Sequence, residues 1–537
     1  MSNKEGQQKS PVSRKGQGVD KTVRMGNAPV PGLLLEFAIP SIVGMLINSC
    51  YNVISTIFLG QAMGAAGLAV TTAAFPIMII FMALAMLVGN GGNALASLRL
   101  GQGKRDAAEL SLGNTVTLGI IISVIVFAFV SIPPCMDLLL SISSTTPEIY
   151  ELTRNYVWIL AAGVVFQVIG LGVNNFIRTA GAPNRALVTM LIGAFSSIFF
   201  NWLFVMVFGW GVEGSALATV VGWFLSCISV LWYFVLTPDV PLKLCARYMP
   251  LDGPVVKEIL TLGMASFLLQ TANCVANLFV NYQLVKYGAL APIGAENALA
   301  ALGVVGQIAG IACMPLVGVA TAAQPLIGYN YGAGKLKRVR QTLGFAILYA
   351  IILGVAIWAV TRIWPTQIVG AFGVADDLMD LSLFALEVQM LLIPVVGVQV
   401  CSGNYFQATG QPMKSIFLSL IRQVLYFIPA LLILPEVLPL FLPVDGLNAI
   451  FATWPVADAL SVVTAGIFIA FELRRLGKLE RGEITDKYAG VGHGDAHASD
   501  THASDAHAGD GHAGDAHATA DHAEGKATEE APASEKA

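Results

Sequence analysis

Two oppositely charged side chains stand inside otherwise apolar runs of this 537-residue chain, Asp458 in the last such run and Arg422 in the one before it. A charge well inside a bilayer-length segment costs about 2.5–3.5 kcal/mol on the insertion scale, so each needs a partner or a task. Asp458 can bind a cation reversibly, or it can form a fixed pair with Arg422 that serves packing alone; the spacing leaves both open. Glu387, less than two turns beyond Asp380, lines either a cavity or the outer interface, where charges near segment ends snorkel. Glu36 and Glu296 belong to an interface and a loop. Gln270, Asn273, Asn277 and Asn281 recur every three or four positions, which places them on one helical stripe. Such a stripe faces protein or water, either as a cavity wall or as a set of interhelical hydrogen bonds.

All seven histidines, His493, His497, His502, His507, His512, His517 and His522, lie in the last 45 residues, spaced by about five in Ala-His-Ala units. Imidazole and carboxylate in that mixture can collect zinc, nickel or copper, with His497, His502, His507, His512 and His517 the central candidates. A period of five winds around a helix and makes no single metal face. So little apolar content predicts a disordered, solvated tail with weak metal affinity. The seven cysteines are widely spaced, without CxxC pairs, and read as buried, inert thiols. The sequence holds no Walker loop, nucleophile elbow or HExxH, so it is read as neither an enzyme nor a self-contained ATP-driven pump, and no cofactor is expected.

The elements that must position these groups follow from composition. Hydrophobic residues make up 55% of the chain and charged ones 12%, about half of what soluble domains carry. The lipid bilayer is the implied solvent, and nucleic acid is not an expected partner. Apolar runs of the length needed to cross a ~30 Å hydrocarbon core recur twelve times. They are Leu33 to Leu59, Leu68 to Leu98, Leu112 to Ile132, Tyr156 to Phe176, Ala186 to Phe208, Ala216 to Leu236, Ile259 to Val285, Leu299 to Ile327, Thr342 to Ile363, Leu381 to Phe406, Ile416 to Leu434 and Ala449 to Phe471. Continuous apolarity without alternation predicts an all-α integral membrane protein and excludes a barrel. A polar arm over residues 1–31 and the tail over 474–537 are expected to be disordered, flanking six-helix lobes over 32–240 and 241–473. Breaks after even-numbered segments carry Arg99, Lys104, Arg105, Arg178, Lys335 and Arg338 among others, whereas the odd-numbered breaks carry only Arg154, Lys286 and Arg362. The positive-inside rule then puts both termini in the cytoplasm of a multi-pass protein in the cell (inner) membrane.

The halves repeat each other. Gly101-Gln102-Gly103-Lys104 after the second segment matches Gly332-Ala333-Gly334-Lys335 after the eighth; Asn175 to Pro183 matches Asn404 to Pro412; Val212-Glu213-Gly214 matches Val444-Asp445-Gly446. Six segments per half make the repeat parallel, with a pseudo-twofold axis along the membrane normal. Two such bundles enclose a cleft that opens to either side as they rock, which is the architecture of a transporter.

The run Ala323-Gln324-Pro325-Leu326-Ile327-Gly328-Tyr329-Asn330-Tyr331-Gly332-Ala333-Gly334, the segments Ser419 to Leu425 and Pro455 to Asp458, and Tyr51 to Gly60 together resemble the multidrug and toxic compound extrusion (MATE) family. The resemblance covers roughly Leu33 to Leu473. It implies secondary active export of amphipathic, often cationic, small organic compounds in antiport with H+ or Na+, by a chain expected to be monomeric. Many relatives carry aspartates where this chain has Ser55 and Asn201, within an N-terminal cation site. The corresponding cluster is Tyr51, Ser55, Asn174, Ser197, Asn201 and Thr219, polar but uncharged, able to offer oxygen ligands to sodium and without a group that titrates near neutral pH. An exporter of a lipid-linked or anionic metabolite is the rival within transport. A metal-responsive membrane sensor built on the histidine-rich tail is the rival from another class.

Overall fold

In lipid a backbone amide finds no partner but another backbone group, so the apolar runs fold as helices. A computed structural model describes residues 17–142, 147–238, 240–372, 376–441 and 445–490. Spans 1 to 6 are Val30–Gly64, Ala66–Gly101, Arg105–Ser131, Tyr150–Thr179, Pro183–Val207 and Gly211–Leu236. Spans 7, 8, 9, 11 and 12 are Gly253–Gly288, Ala295–Gly332, Leu336–Ile363, Pro412–Phe441 and Gly446–Glu480. Span 10 is a bent pair, Leu378–Gln389 and Ile393–Ala408, meeting at 51°. Pro394 opens its second piece and has no N–H to continue the first. Spans 1 and 2 fold back on each other at Gly64, so that a Cβ on Gly67 would lie 2.8 Å from the Leu59 carbonyl oxygen; the φ of 61° and ψ of −138° at Gly64 are readily reached only without a side chain.

The internal repeat is a repeat of turns. Lys104 and Lys335, which precede spans 3 and 9, have φ/ψ of −88°/72° and −83°/62°. Gly181 and Gly410, at the turns leading into spans 5 and 11, stand at φ 77° and 73°. The fifth span of each half also loosens into a π-helical stretch, Trp202–Val207 and Ile421–Phe427. Such stretches free backbone groups inside a helix and often mark functional positions.

Spans 2 and 8 meet backbone to backbone at their ends. A Cβ on Gly101 would lie 2.0 Å from the Tyr329 carbonyl oxygen, and one on Gly332 2.1 Å from that of Leu98. The halves are therefore shut against each other at the end that bears the basic loops, called here the basic face. Arg99 of span 2 reinforces the seam by pairing with Glu258 of span 7, Nη2 to Oε2, at 3.1 Å.

The described parts of the two flanking segments, 17–31 and 474–490, are ordered where disorder was expected. Within the arm expected to be disordered over 1–31, Gln17–Asn27 forms a helix with Met25 buried. The last carbonyls of a helix lack intrahelical donors. Lys335 Nζ supplies one to Gly26 at 3.0 Å, and Arg338 Nη2 supplies another to the Ala28 carbonyl just beyond, at 2.6 Å. Arg24 meanwhile grips Glu36 through two bonds of 3.0 and 2.7 Å. At the other end span 12 continues past residue 473 to Glu480, because buried Glu472 accepts hydrogen bonds from Gln411, Lys414 and Arg475, each at 2.7 Å. Residues 481–490, expected to belong to a disordered tail, instead lie across the seam as a strap. Tyr488 offers its carbonyl to Gln102 Nε2 at 3.1 Å and lays its ring over Gly410. Lys487 pairs with Glu258 and Asp486 with Arg475. The described residues form one compact unit; His493–Ala537, with every histidine of the sequence, lies outside them.

Candidate functional site

A cavity of about 380 Å³ lies between the halves, walled by spans 1, 2, 4 and 5 on one side and 7, 8, 10 and 11 on the other. Met45, Met86, Met190 and Met314 give it a deformable apolar surface. Its polar groups form a chain that crosses from one half to the other. Arg178 donates to Asn175; Asn175 Nδ2 donates to Asn90 Oδ1 at 2.9 Å; Asn90 Nδ2 donates to Ser266 Oγ at 3.0 Å. Gln407 Nε2 reaches the same Ser266 hydroxyl at 3.2 Å. The repeat relates the ends of this chain, since Arg178 and Gln407 follow Asn175 and Asn404 by the same three positions.

Arg422 also lines the cavity, from the π-helical stretch of span 11, and its Nε donates to Asp458 Oδ1 at 2.7 Å. Asp458 is 4% exposed and lies behind Arg422. Gln270 and Asn273 of span 7 line the wall, with Asn273 receiving a bond from Gln423. Among the described residues of the wall, Arg178 and Arg422 are the charged ones.

A second polar cluster lies within the N-terminal half. Asn201, fully buried at the junction with the π-helical stretch of span 5, donates to Ser55 Oγ at 3.3 Å and to the Ser197 carbonyl at 2.9 Å. Asn201 Oδ1 and Ser197 Oγ are buried without a partner. Unpartnered buried oxygens are rare and costly, and neutral oxygens at one place are what a small hard cation takes as ligands. Tyr51 stands one turn before Ser55 on span 1, half-buried. Thr219 is buried on span 6, where its hydroxyl donates to Ser215 O at 3.0 Å.

The MatE family model matches residues 40–203 and 273–432. The chain belongs to the MATE family of efflux transporters. It is 23% identical over 448 residues to the multidrug export protein MepA of Staphylococcus aureus (strain MSSA476), covering 82% of this chain and 94% of that one. With the MepA of Staphylococcus haemolyticus (strain JCSC1435) the identity is 24% over 449 residues, covering 82% and 93%. A solved multidrug resistance MATE transporter of the MOP superfamily in an outward-facing conformation shares the fold at a TM-score of 0.78 and 21% identity, covering 86% of this chain and 99% of that one. A MOP-superfamily transporter from Pyrococcus furiosus Vc1, described by a reverse polarity of its binding pocket that suggests a different function, matches at 0.79 and 22%, covering 85% and 99%.

The MATE fold sorts the residues singled out in the sequence. Ser55, Ser197 and Asn201 come together, while Asn174 does not join them. It lines the central cavity instead, bonding Thr189 Oγ1 at 2.6 Å, twelve positions before Asn201 on span 5. Asn277 is exposed outside the wall and bonds the Asn273 carbonyl at 2.9 Å, so the polar stripe of span 7 enters the cavity only at Gln270 and Asn273. Glu387 is an exposed partner of Arg362 at 3.3 Å, not a wall residue, because the bend in span 10 leaves its first piece at the edge. The histidines from His493 onward lie outside the described residues. Sequence reasoning missed Arg178, counted there as a loop charge although it is 1% exposed. Its signal was the Asn175/Asn404 repeat.

Proposed function

We propose that the chain is a monomeric, multi-pass antiporter of the cell membrane, with both termini cytoplasmic, that exports amphipathic organic compounds in exchange for Na+ or H+ by rocking its lobes, 32–240 against 241–473. The observation that carries this reading is the cavity walled by both halves and shut by backbone contact of spans 2 and 8 at the basic face. A site shared by two related bundles changes its accessible side when they rock, without being rebuilt. Sodium is favoured over the proton as the coupling ion. The unpartnered oxygens of Asn201 and Ser197 suit a cation ligand set, and neither group titrates near neutral pH. The family resemblance implies cationic cargo, but the wall's charged groups are Arg178 and Arg422, which argues against a free cation as cargo. The Pyrococcus furiosus relative, with its pocket of reverse polarity, supports reading the cargo's charge from the wall and not from the fold.

Everted membrane vesicles test the proposal. Uptake of a fluorescent amphiphile is followed while a sodium gradient and a pH gradient are imposed separately. Accumulation driven by an inside-high sodium gradient is expected; indifference to both gradients overturns antiport.

A further inference from the structure

Arg178 is a buried guanidinium on the cavity wall, and no carboxylate of the described residues pairs with it. Its neighbours are neutral: Nη1 donates to Asn175, and Nη2 lies 3.4 Å from the Met190 thioether, a weak acceptor. Nε is buried without any partner. The Nε and Nη2 edge of a guanidinium is a fork that matches two oxygens of a carboxylate, sulfonate or phosphate. Here that edge has no acceptor stronger than sulfur. The other wall arginine differs, since Arg422 is neutralised by Asp458 at 2.7 Å. The wall thus carries one uncompensated positive charge, held by the dipoles of Asn175 and Asn90. The repeat places neutral Gln407 at the equivalent position of the other half, so the charge is a property of one side of the cavity.

We infer that Arg178 seats the anionic head of the exported compound, an organic anion joined to an apolar body. The inference rests on the efflux reading above and names its cargo class. An isolated charge in a low-dielectric wall is stabilised when an opposite charge arrives, and the neutral relay behind it leaves that place to the ligand. Met190 covers the fork and swings aside with a flexible thioether chain, while the remaining methionines accommodate the body. The location suits loading. Arg178 is next to the last residue of span 4, at the end of the cavity nearest the basic face. Export of an anion from a negative-inside cell is also favoured by the membrane potential, by about fifty-fold per charge for each 100 mV.

The test uses purified full-length protein in nanodiscs and a matched pair of probes, dansyltaurine (a sulfonate) and dansylcholine (a quaternary cation). Dansyltaurine is expected to bind at least tenfold more tightly. Asn175→Asp is the decisive variant, because it keeps the size of the side chain and the contact to Arg178 while neutralising the charge in place. It should abolish the tenfold preference, as should Arg178→Gln, whereas Arg178→Lys should retain part of it. Equal affinities, a preference for dansylcholine, or binding of neither probe overturns the inference, as does a preference that survives Asn175→Asp. Adding phosphatidylglycerol to otherwise zwitterionic nanodiscs separates the two sources of such a head: competition assigns the site to a lipid headgroup, its absence to a soluble solute, and either keeps the anion. Everted vesicles answer for the efflux reading independently. Movement of dansylcholine alone leaves efflux standing and removes the anion, whereas binding of dansyltaurine without gradient-driven movement keeps the site and removes the efflux reading.

Discussion

Nε of Arg422 donates to Oδ1 of Asp458 at 2.7 Å, and of the two only Arg422 reaches the cavity wall. That geometry favours a fixed bridge over a carboxylate that trades ions with cargo. Asp458→Asn should strand a buried guanidinium at a cost of about 3–5 kcal/mol and appear first as a loss of thermal stability in detergent. The double variant Asp458→Asn with Arg422→Gln should recover both stability and transport. Stability regained without transport would return the coupling role to Asp458.

Sodium should stabilise the folded protein through the N-terminal cluster. A ligand present at ten times its dissociation constant contributes about 1.4 kcal/mol, which a melting curve in sodium against potassium chloride at equal ionic strength detects. Asn201→Leu removes Oδ1 while keeping the branched outline of the side chain, and should abolish the sodium-specific part of the shift. A sodium effect of unchanged size in that variant would place the ion elsewhere.

The seam at the basic face predicts a conformational mutant. Gly332→Val would push side-chain atoms into the Leu98 carbonyl, which a Cβ alone would approach to 2.1 Å. The halves should part there, raising the reactivity of a cysteine at Asn404 toward a membrane-impermeant maleimide from that side several-fold, in a background lacking native cysteines. Unchanged reactivity would show that the seam yields elsewhere.

Orientation is tested by the same chemistry. Cysteines at Lys104 and Lys337, both exposed, should be labelled from the cytoplasm alone, and one at Leu290, 78% exposed in the turn after span 7, from outside alone. Labelling Lys104 and Lys337 from opposite sides would break the parallel repeat.

The spans were legible because a helix crossing lipid must be apolar over about 20 residues, a requirement local in sequence. The repeat was legible for a similar reason, as its turns are set by glycine and the residues beside it. Arg178 was not, since a basic residue near a segment end satisfies the charge rule equally well from a loop or from a wall. Glu387 and Asn277 failed for another reason: helical periodicity gives a face, and only packing says what that face meets. The strap was invisible because its partners lie far away in the chain, Gln102 and Tyr488 being 386 positions apart.

The strap gives the lipid-embedded machine a set-point located in water. Its hold on the seam runs through Lys487, 69% exposed, and through Glu258, which also binds Arg99. Ion pairs so placed weaken as salt screens them, whereas the glycine contacts of spans 2 and 8 do not. In the proposed rocking of the halves, closure at this seam is therefore divided between a term fixed by packing and one that the surrounding electrolyte adjusts. Gly490, whose amide points to the Tyr331 carbonyl at 3.4 Å, sits where the two meet. Tension on the strap at Gly490 would be applied at the seam itself and not averaged over the bundle.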